Sequence, residues 1–183
     1  TGLILSKKFR TAKSLGNFNN LIGVPVTILG TKPGTEILVL ELATNQPGEI
    51  ARLSEISQPN IGIITRICEV HLEGLKDIEG VEKEKRALVS GLGAGGIFII
   101  NLTDPRISRI GQGFAGRKIG YGIKARGFKG LEKLVLVDRI KVLRKAGEIV
   151  QKFLVKVEGD KKEKAWIELR GFGEHLIENS LAG

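Results

Sequence analysis

Three short apolar runs, Ile37–Leu40, Ile61–Ile64 (within a strand read over Asn60–Ile67) and Ile97–Ile100, each give way to a polar residue and alternate with stretches of helical apolar spacing. This alternation constrains the fold more than any other feature of the chain. Between the first two runs, Ile50, Leu53 and Ile56 recur at helical intervals. Between the second and third, Asp77 opens a charged helix reaching about Ser90, with Ile78, Val81, Ala87 and Leu88 on its inner side. Strand, helix, strand, helix, strand with continuous apolar strands predicts a mostly parallel sheet flanked by helices, an α/β fold. In such sheets ligands gather at the carboxyl ends of the strands. Glu41, Thr65 and Asn101 stand at or near those ends. An ionised carboxylate taken out of water is costly unless it is paired or hydrogen-bonded, so the charge at Glu41 implies that its strand finishes in a cleft.

The pattern changes near residue 117. The stretches KIGYGIKARG, KLVLVDRIKVLR, EIVQKFLVKVEG and KAWIELRGFG read as short strands between glycine-rich and charged turns. The expected organisation is a parallel α/β core over 1–116, a smaller mixed or antiparallel β-rich extension over 117–170, and the start of a helix over 171–183. Ahead of the core, Thr1–Phe9 reads as the end of an amphipathic helix. Leu21–Leu29 reads as a short helix capped by Asn19 or Asn20.

Charge narrows the range of partners. Twenty-nine Lys and Arg against 20 Asp and Glu leave a net charge of +9, which favours polyanions. The basic residues are scattered among acids, and one Trp, one Tyr and seven Phe offer few stacking platforms, so no nucleic-acid partner is expected. A phosphate-bearing small molecule and an ordinary solvated surface each account for the sign. No apolar run approaches the roughly 20 residues that span a bilayer, so no membrane insertion is expected. The single cysteine, Cys68, is read as a small buried apolar residue; with no partner for an internal disulfide it fits a reducing compartment, and the chain is read as cytoplasmic.

Two histidines, His71 and His175, stand out by scarcity. His71 follows the second strand, on the same sheet edge as Glu41, and a carboxylate and an imidazole from adjacent strand ends can hold a divalent ion; a surface-loop histidine is the plainer reading. Lys85 lies on the charged helix, where it would either neutralise phosphate or form part of a solvated face with spaced opposite charges. The loop GNFNN, carrying Asn17, Asn19 and Asn20, offers amide groups and a glycine, as plain turns also do.

Taken together, GNFNNLIGVPVTIL (16–29), LVLELATNQPGEIARL (38–53), HLEGLKDIEGVEKEK (71–85), INLTDPR (100–106) and GFGEHLIENSLAG (171–183) resemble the central ATP-binding domain of the Mur ligases. The likeness is closest to the branch that adds D-alanyl-D-alanine to UDP-N-acetylmuramoyl-tripeptide, and it runs over nearly the whole chain. The resemblance implies ATP and Mg2+ as cofactors. It implies Glu41, His71 and Lys85 at the catalytic metal centre, with Lys85 commonly carbamylated in the family. Asn101, His175 and Asn179 are implied near the nucleotide, and Asn17, Asn19 and Asn20 near the UDP-sugar peptide. Both substrates, UDP-N-acetylmuramoyl-tripeptide and D-alanyl-D-alanine, would be taken by a monomer.

The family's phosphate loop would precede Thr1 and its C-terminal domain would follow Gly183, so this length alone is expected to be inactive. Arg66 and Leu176 stand where the family commonly has asparagine, and Thr103 where it commonly has aspartate. These departures motivate the alternative, a non-catalytic Mur-ligase-like module that binds a phosphorylated ligand.

Overall fold

A computed structural model of the chain describes residues 1–69, 72–125 and 127–182. The elements in order are α1 (Gly2–Leu5), β1 (Thr11–Lys13), α2 (Gly23–Leu29), β2 (Ile37–Val39), α3 (Glu49–Ser57), β3 (Ile61–Ile64), α4 (Leu72–Leu75), α5 (Ile78–Ser90), β4 (Ile97–Asn101), α6 (Pro105–Gln112), β5 (Arg117–Ile123), β6 (Lys133–Lys145), β7 (Glu148–Glu158), β8 (Glu163–Arg170) and α7 (Glu174–Leu181). The expected α/β architecture is present. The strands divide into a two-stranded sheet, β1-β2, and a six-stranded sheet in the order β3-β4-β5-β6-β7-β8. The β1–β2, β4–β5 and β5–β6 ladders are parallel, and β6–β7 and β7–β8 are antiparallel.

The chain folds as two compact units, one of residues 1–62 and 67–96, the other of 63–66 and 97–182. In the first, Val24, Ile50 and Leu53 form a buried cluster, closed by Ile28, Leu40, Leu42, Ala87 and Leu88. The inner face read for α5 is correct as far as it goes: Val81 is fully buried, and Ala87 and Leu88 pack on that cluster. Full burial of a side chain such as Leu53 contributes about 1.5–3 kcal/mol. The side chain of Asp77 accepts a hydrogen bond from Gly80 N at 2.8 Å and caps α5, as its position before the charged helix suggests.

Three local expectations need correction. The run at 37–40, whose unbroken apolar character predicts a buried strand, is half-buried, because β2 is only three residues long and pairs with β1 in a sheet of its own. The helix read over Thr1–Phe9 is a single turn, Gly2–Leu5, with no buried residue. Without an apolar face to bury, a short helix has little to offset its nucleation cost. Cys68 is half-buried, not part of the core.

In the second unit, alternation along β7 places Phe153 and Val155 inward, where they meet Val137 and Ile177 with Ile123, Val135, Ile140, Val157, Leu169 and Leu181 around them. Helix α7 therefore covers one face of this sheet through Ile177. The β6–β7 hairpin turns on two residues, Ala146 (φ 49°) and Gly147 (φ 82°). Two central residues with positive φ are the hairpin geometry compatible with strand twist, and they favour Asn-Gly. Ala146 carries the left-handed conformation at a cost of about 1–2 kcal/mol, which asparagine lessens. Ala146→Asn is therefore expected to stabilise the fold by about 1 kcal/mol, read as a higher urea midpoint with an unchanged slope.

Candidate functional site

In the first unit, Glu41 lies two residues beyond β2 and is exposed. Its backbone amide donates to Ser14 Oγ at 3.1 Å, and its carboxylate Oε1 accepts from Asn19 Nδ2 at 3.3 Å. The backbone of Ala43 also donates to the carbonyl of Asn19 at 2.8 Å. Thus the GNFNN loop is laid against the segment that carries Glu41. The carboxylate stands in solvent with one amide donor. Asn20 Oδ1 accepts from the backbone of Ile22 (3.0 Å) and Gly23 (2.9 Å) and holds the turn leading into α2, whose N-cap position is Ile22 rather than the expected Asn19 or Asn20. Of the three asparagines, Asn17 alone exposes a side-chain amide that makes no hydrogen bond among the described residues.

The loop from Thr44 to Ile50 is braced by two carboxylates. Glu49 Oε2 accepts from the amides of Asn45 (2.6 Å) and Gln46 (2.9 Å). Glu84, on α5, is 6% exposed and accepts from Gly48 N through Oε2 and from Ile50 N through Oε1, both at 2.7 Å. The Thr44 hydroxyl sits 2.9 Å from the Gln46 carbonyl and 3.3 Å from a carboxylate oxygen of each glutamate, with one proton to share among them. The Asn45 amide, then that of Gln46, with the Thr44 hydroxyl adding to them, hold the Glu49 carboxyl below the usual carboxylate range against the opposing effect of burial. The loop is also closed from α4. A Cβ on Gly74 would fall inside the contact radius of the Asn45 carbonyl oxygen.

Lys85 follows Glu84 on α5 and is half-buried, so it is neither wholly displayed to solvent nor part of the core. His71 lies outside the described residues. Glu84 and Gly74 are the residues that reading the sequence missed. Glu84 follows Val81 by three positions, on the face already assigned inward; that interval was the available signal. Nothing in the sequence announces the close approach at Gly74.

In the second unit, Asn101 ends β4 at 2% exposure. Its Nδ2 donates to the Thr65 carbonyl at 2.9 Å, and its Oδ1 accepts from Thr103 N at 2.9 Å, so it clamps the ends of β3 and β4. The carboxamide retains a second N–H. His175 and Asn179 are exposed, four residues apart on α7, and therefore share a helix face. Thr103 Oγ1 accepts from Ile123 N at 3.3 Å and joins the turn after β4 to the end of β5. Arg66 is exposed, and Leu176 is half-buried beside the core residue Ile177. The Tyr121 hydroxyl is buried without a hydrogen-bond partner among the described residues. Burial, reinforced by Glu178 and Asp104, raises its pKa and keeps it protonated. Among the described residues no three His, Cys, Asp or Glu side chains gather as a metal site.

The sequence profile of the Mur ligase middle domain matches residues 1–183. The chain belongs to that family. This Mur ligase middle domain is 43% identical over 109 residues to the UDP-N-acetylmuramoyl-tripeptide–D-alanyl-D-alanine ligase of Buchnera aphidicola, covering 60% of the chain and 24% of the relative. It is 40% identical over 101 residues to the Escherichia coli protein of the same name, covering 55% and 22%. Among solved structures, it is similar to MurF from Acinetobacter baumannii with a TM-score of 0.82 at 25% identity, over 99% of the chain and 37% of that protein. The fold is shared with MurF ligase from Thermotoga maritima, solved in complex with ADP, at a TM-score of 0.75 and 23% identity, over 97% and 39%. The domain thus spans about a quarter of the length of the curated relatives it matches.

Two outcomes test the bracing of the loop. Gly74→Ala should cost about 1–3 kcal/mol in denaturant unfolding through the backbone collision, whereas Gly93→Ala, whose added methyl meets open space, should cost less. The depressed Glu49 carboxyl contributes stability that is fully present above its ordinary value near 4.5 and is lost as pH falls through the lower folded value. The stability gap between the parent domain and Glu49→Gln should therefore be widest near neutrality and close below pH 4.5.

Proposed function

We propose that this domain serves an ATP-dependent ligase that joins D-alanyl-D-alanine to UDP-N-acetylmuramoyl-tripeptide in the cytoplasm, in peptidoglycan precursor synthesis. The observation that carries the reading is Glu41, a carboxylate standing in solvent at the end of β2 and hydrogen-bonded to Asn19 of the GNFNN loop. The names of the curated relatives support the substrates. The γ-phosphoryl group of ATP passes to an oxygen of the peptide carboxylate, and ADP departs. The amine of D-alanyl-D-alanine then attacks the acyl carbon, loses a proton and expels inorganic phosphate. A monomer suffices for this chemistry, and no nucleic acid takes part.

Mg2+ is bound through one or two carboxylates together with substrate phosphates, keeping several waters. Glu41 fits that demand: it is a hard oxygen donor, exposed, and without a lysine or arginine partner among the described residues. Glu41, His71 and, as its carbamate, Lys85 would hold the metal. Once bound, Mg2+ supplies positive charge to the transferring phosphoryl group. Asn19 holds the Glu41 carboxylate while Asn17 and Asn20 face the UDP-sugar peptide. Asn101, through its remaining N–H, and His175 with Asn179, on the shared face of α7, take the nucleotide.

The test is made in the full-length ligase carrying this domain, with UDP-tripeptide, D-alanyl-D-alanine, ATP and Mg2+, scoring UDP-pentapeptide by mass spectrometry and phosphate release in parallel. Glu41→Ala and Lys85→Ala should each lower turnover by about 10²–10³-fold, the scale of losing one electrostatic stabiliser. Unchanged turnover in Glu41→Ala would refute its role. A parent protein that forms neither product nor ADP would instead favour the non-catalytic reading.

A further inference from the structure

Glu84 is a buried carboxylate in the middle of a helix, with no lysine or arginine paired to it among the described residues. Its charge is met instead by the amides of Gly48 and Ile50, at the N-terminal end of α3. Those amides belong to the first turn, whose N–H groups have no partner within their own helix. The N-cap of α3 is Gly48, which has no side chain to serve them. A carboxylate from a second helix fills that need and benefits from the positive end of the helix dipole. The result is a two-point tie, one oxygen to each amide, which fixes α5 both along its axis and in rotation about it.

The position of the tie gives it functional weight. Its far end is the loop that begins three residues after Glu41, and its near end is the residue before Lys85. Glu49 secures the opposite side of the same loop through Asn45 and Gln46, and Gly74 packs on the Asn45 carbonyl from α4. Segments that lead from Glu41, carry Lys85 and follow His71 therefore all register on residues 44–50.

We propose that Glu84 is a positioning residue: its carboxylate sets the place of Lys85 relative to Glu41, and so preorganises the donors offered to the divalent cation. This rests on the reading above that Glu41 and Lys85 serve one magnesium–phosphate centre. Residues that orient ligands without touching the metal typically change metal affinity or activity by about 10–100-fold when replaced. Gln at 84 keeps the volume but presents an N–H where Gly48 needs an acceptor. Asp keeps the charge and shortens the reach.

The experiment uses the full-length ligase and Mn2+ as a probe in the presence of ATP, with free Mn2+ measured by electron paramagnetic resonance. The half-saturating Mg2+ concentration for turnover is measured alongside. Glu84→Gln should weaken Mn2+ binding by about 10-fold or more and raise the Mg2+ requirement by a similar factor. Glu84→Asp should fall between that variant and the parent, and it serves in place of Glu84→Gln if the latter does not fold. Asp77→Ala removes the α5 cap without touching the tie, so it should lower Tm while leaving Mn2+ binding within about twofold; the caps typically matter to stability alone. Parent-like Mn2+ binding in both Glu84 variants, or equal weakening in Asp77→Ala, overturns the proposal. If Glu41→Ala and Lys85→Ala also bind Mn2+ as the parent does, the magnesium-centre reading itself fails. If those two lose binding and the Glu84 variants do not, only the role of Glu84 falls.

Discussion

The first unit depends on a charge placed where water is excluded. Glu84 gives up hydration and receives two short amide bonds in return, so α3 and α5 are joined by an interaction with direction as well as strength. Apolar packing among Val24, Ile50, Leu53, Ala87 and Leu88 brings the helices together but would tolerate sliding. The two 2.7 Å bonds do not, because displacement by even a fraction of a turn leaves a buried carboxylate unsatisfied. A second carboxylate, Glu49, gives the same loop a local brace, and the depressed titration of that group is the thermodynamic trace of its bonds.

Asparagine plays the matching part at other chain ends. Asn101 spends its carbonyl and one N–H on the backbone at the ends of β3 and β4, which leaves its carboxamide a single N–H. Asn20 is likewise committed to the turn leading into α2. Asn19 bridges a loop expected at the sugar peptide and a carboxylate expected at the metal. The side chains assigned by family likeness to ligands are therefore partly engaged in holding the backbone that presents them.

Much of this was legible in the chain. The alternation of apolar runs with helical spacing gave the α/β class, α3 over Glu49–Ser57 and α5 with its Asp77 cap, because each signal is local and repeats over several residues. The short β2 was overread: four apolar residues do not reveal how many neighbours a strand has, and this one has β1 beside it in a two-stranded sheet. Glu84 was overlooked because EKEK has the composition of a solvated helix face. Its burial is decided by a loop 34–36 residues earlier.

What the sequence determined by itself was the periodicity, the caps, the family and the identities of Glu41, Lys85, Asn101, His175 and Asn179 as residues with chemistry to offer. Those follow from spacing and residue type, which are properties of neighbours along the chain. Tertiary structure alone decided that Asn19 meets Glu41, that Asn101 reaches Thr65, and that Glu84 turns inward to the amides of Gly48 and Ile50. Each of these is a directional contact between segments 22 to 36 residues apart, and its existence depends on angstrom-scale placement that no local pattern encodes.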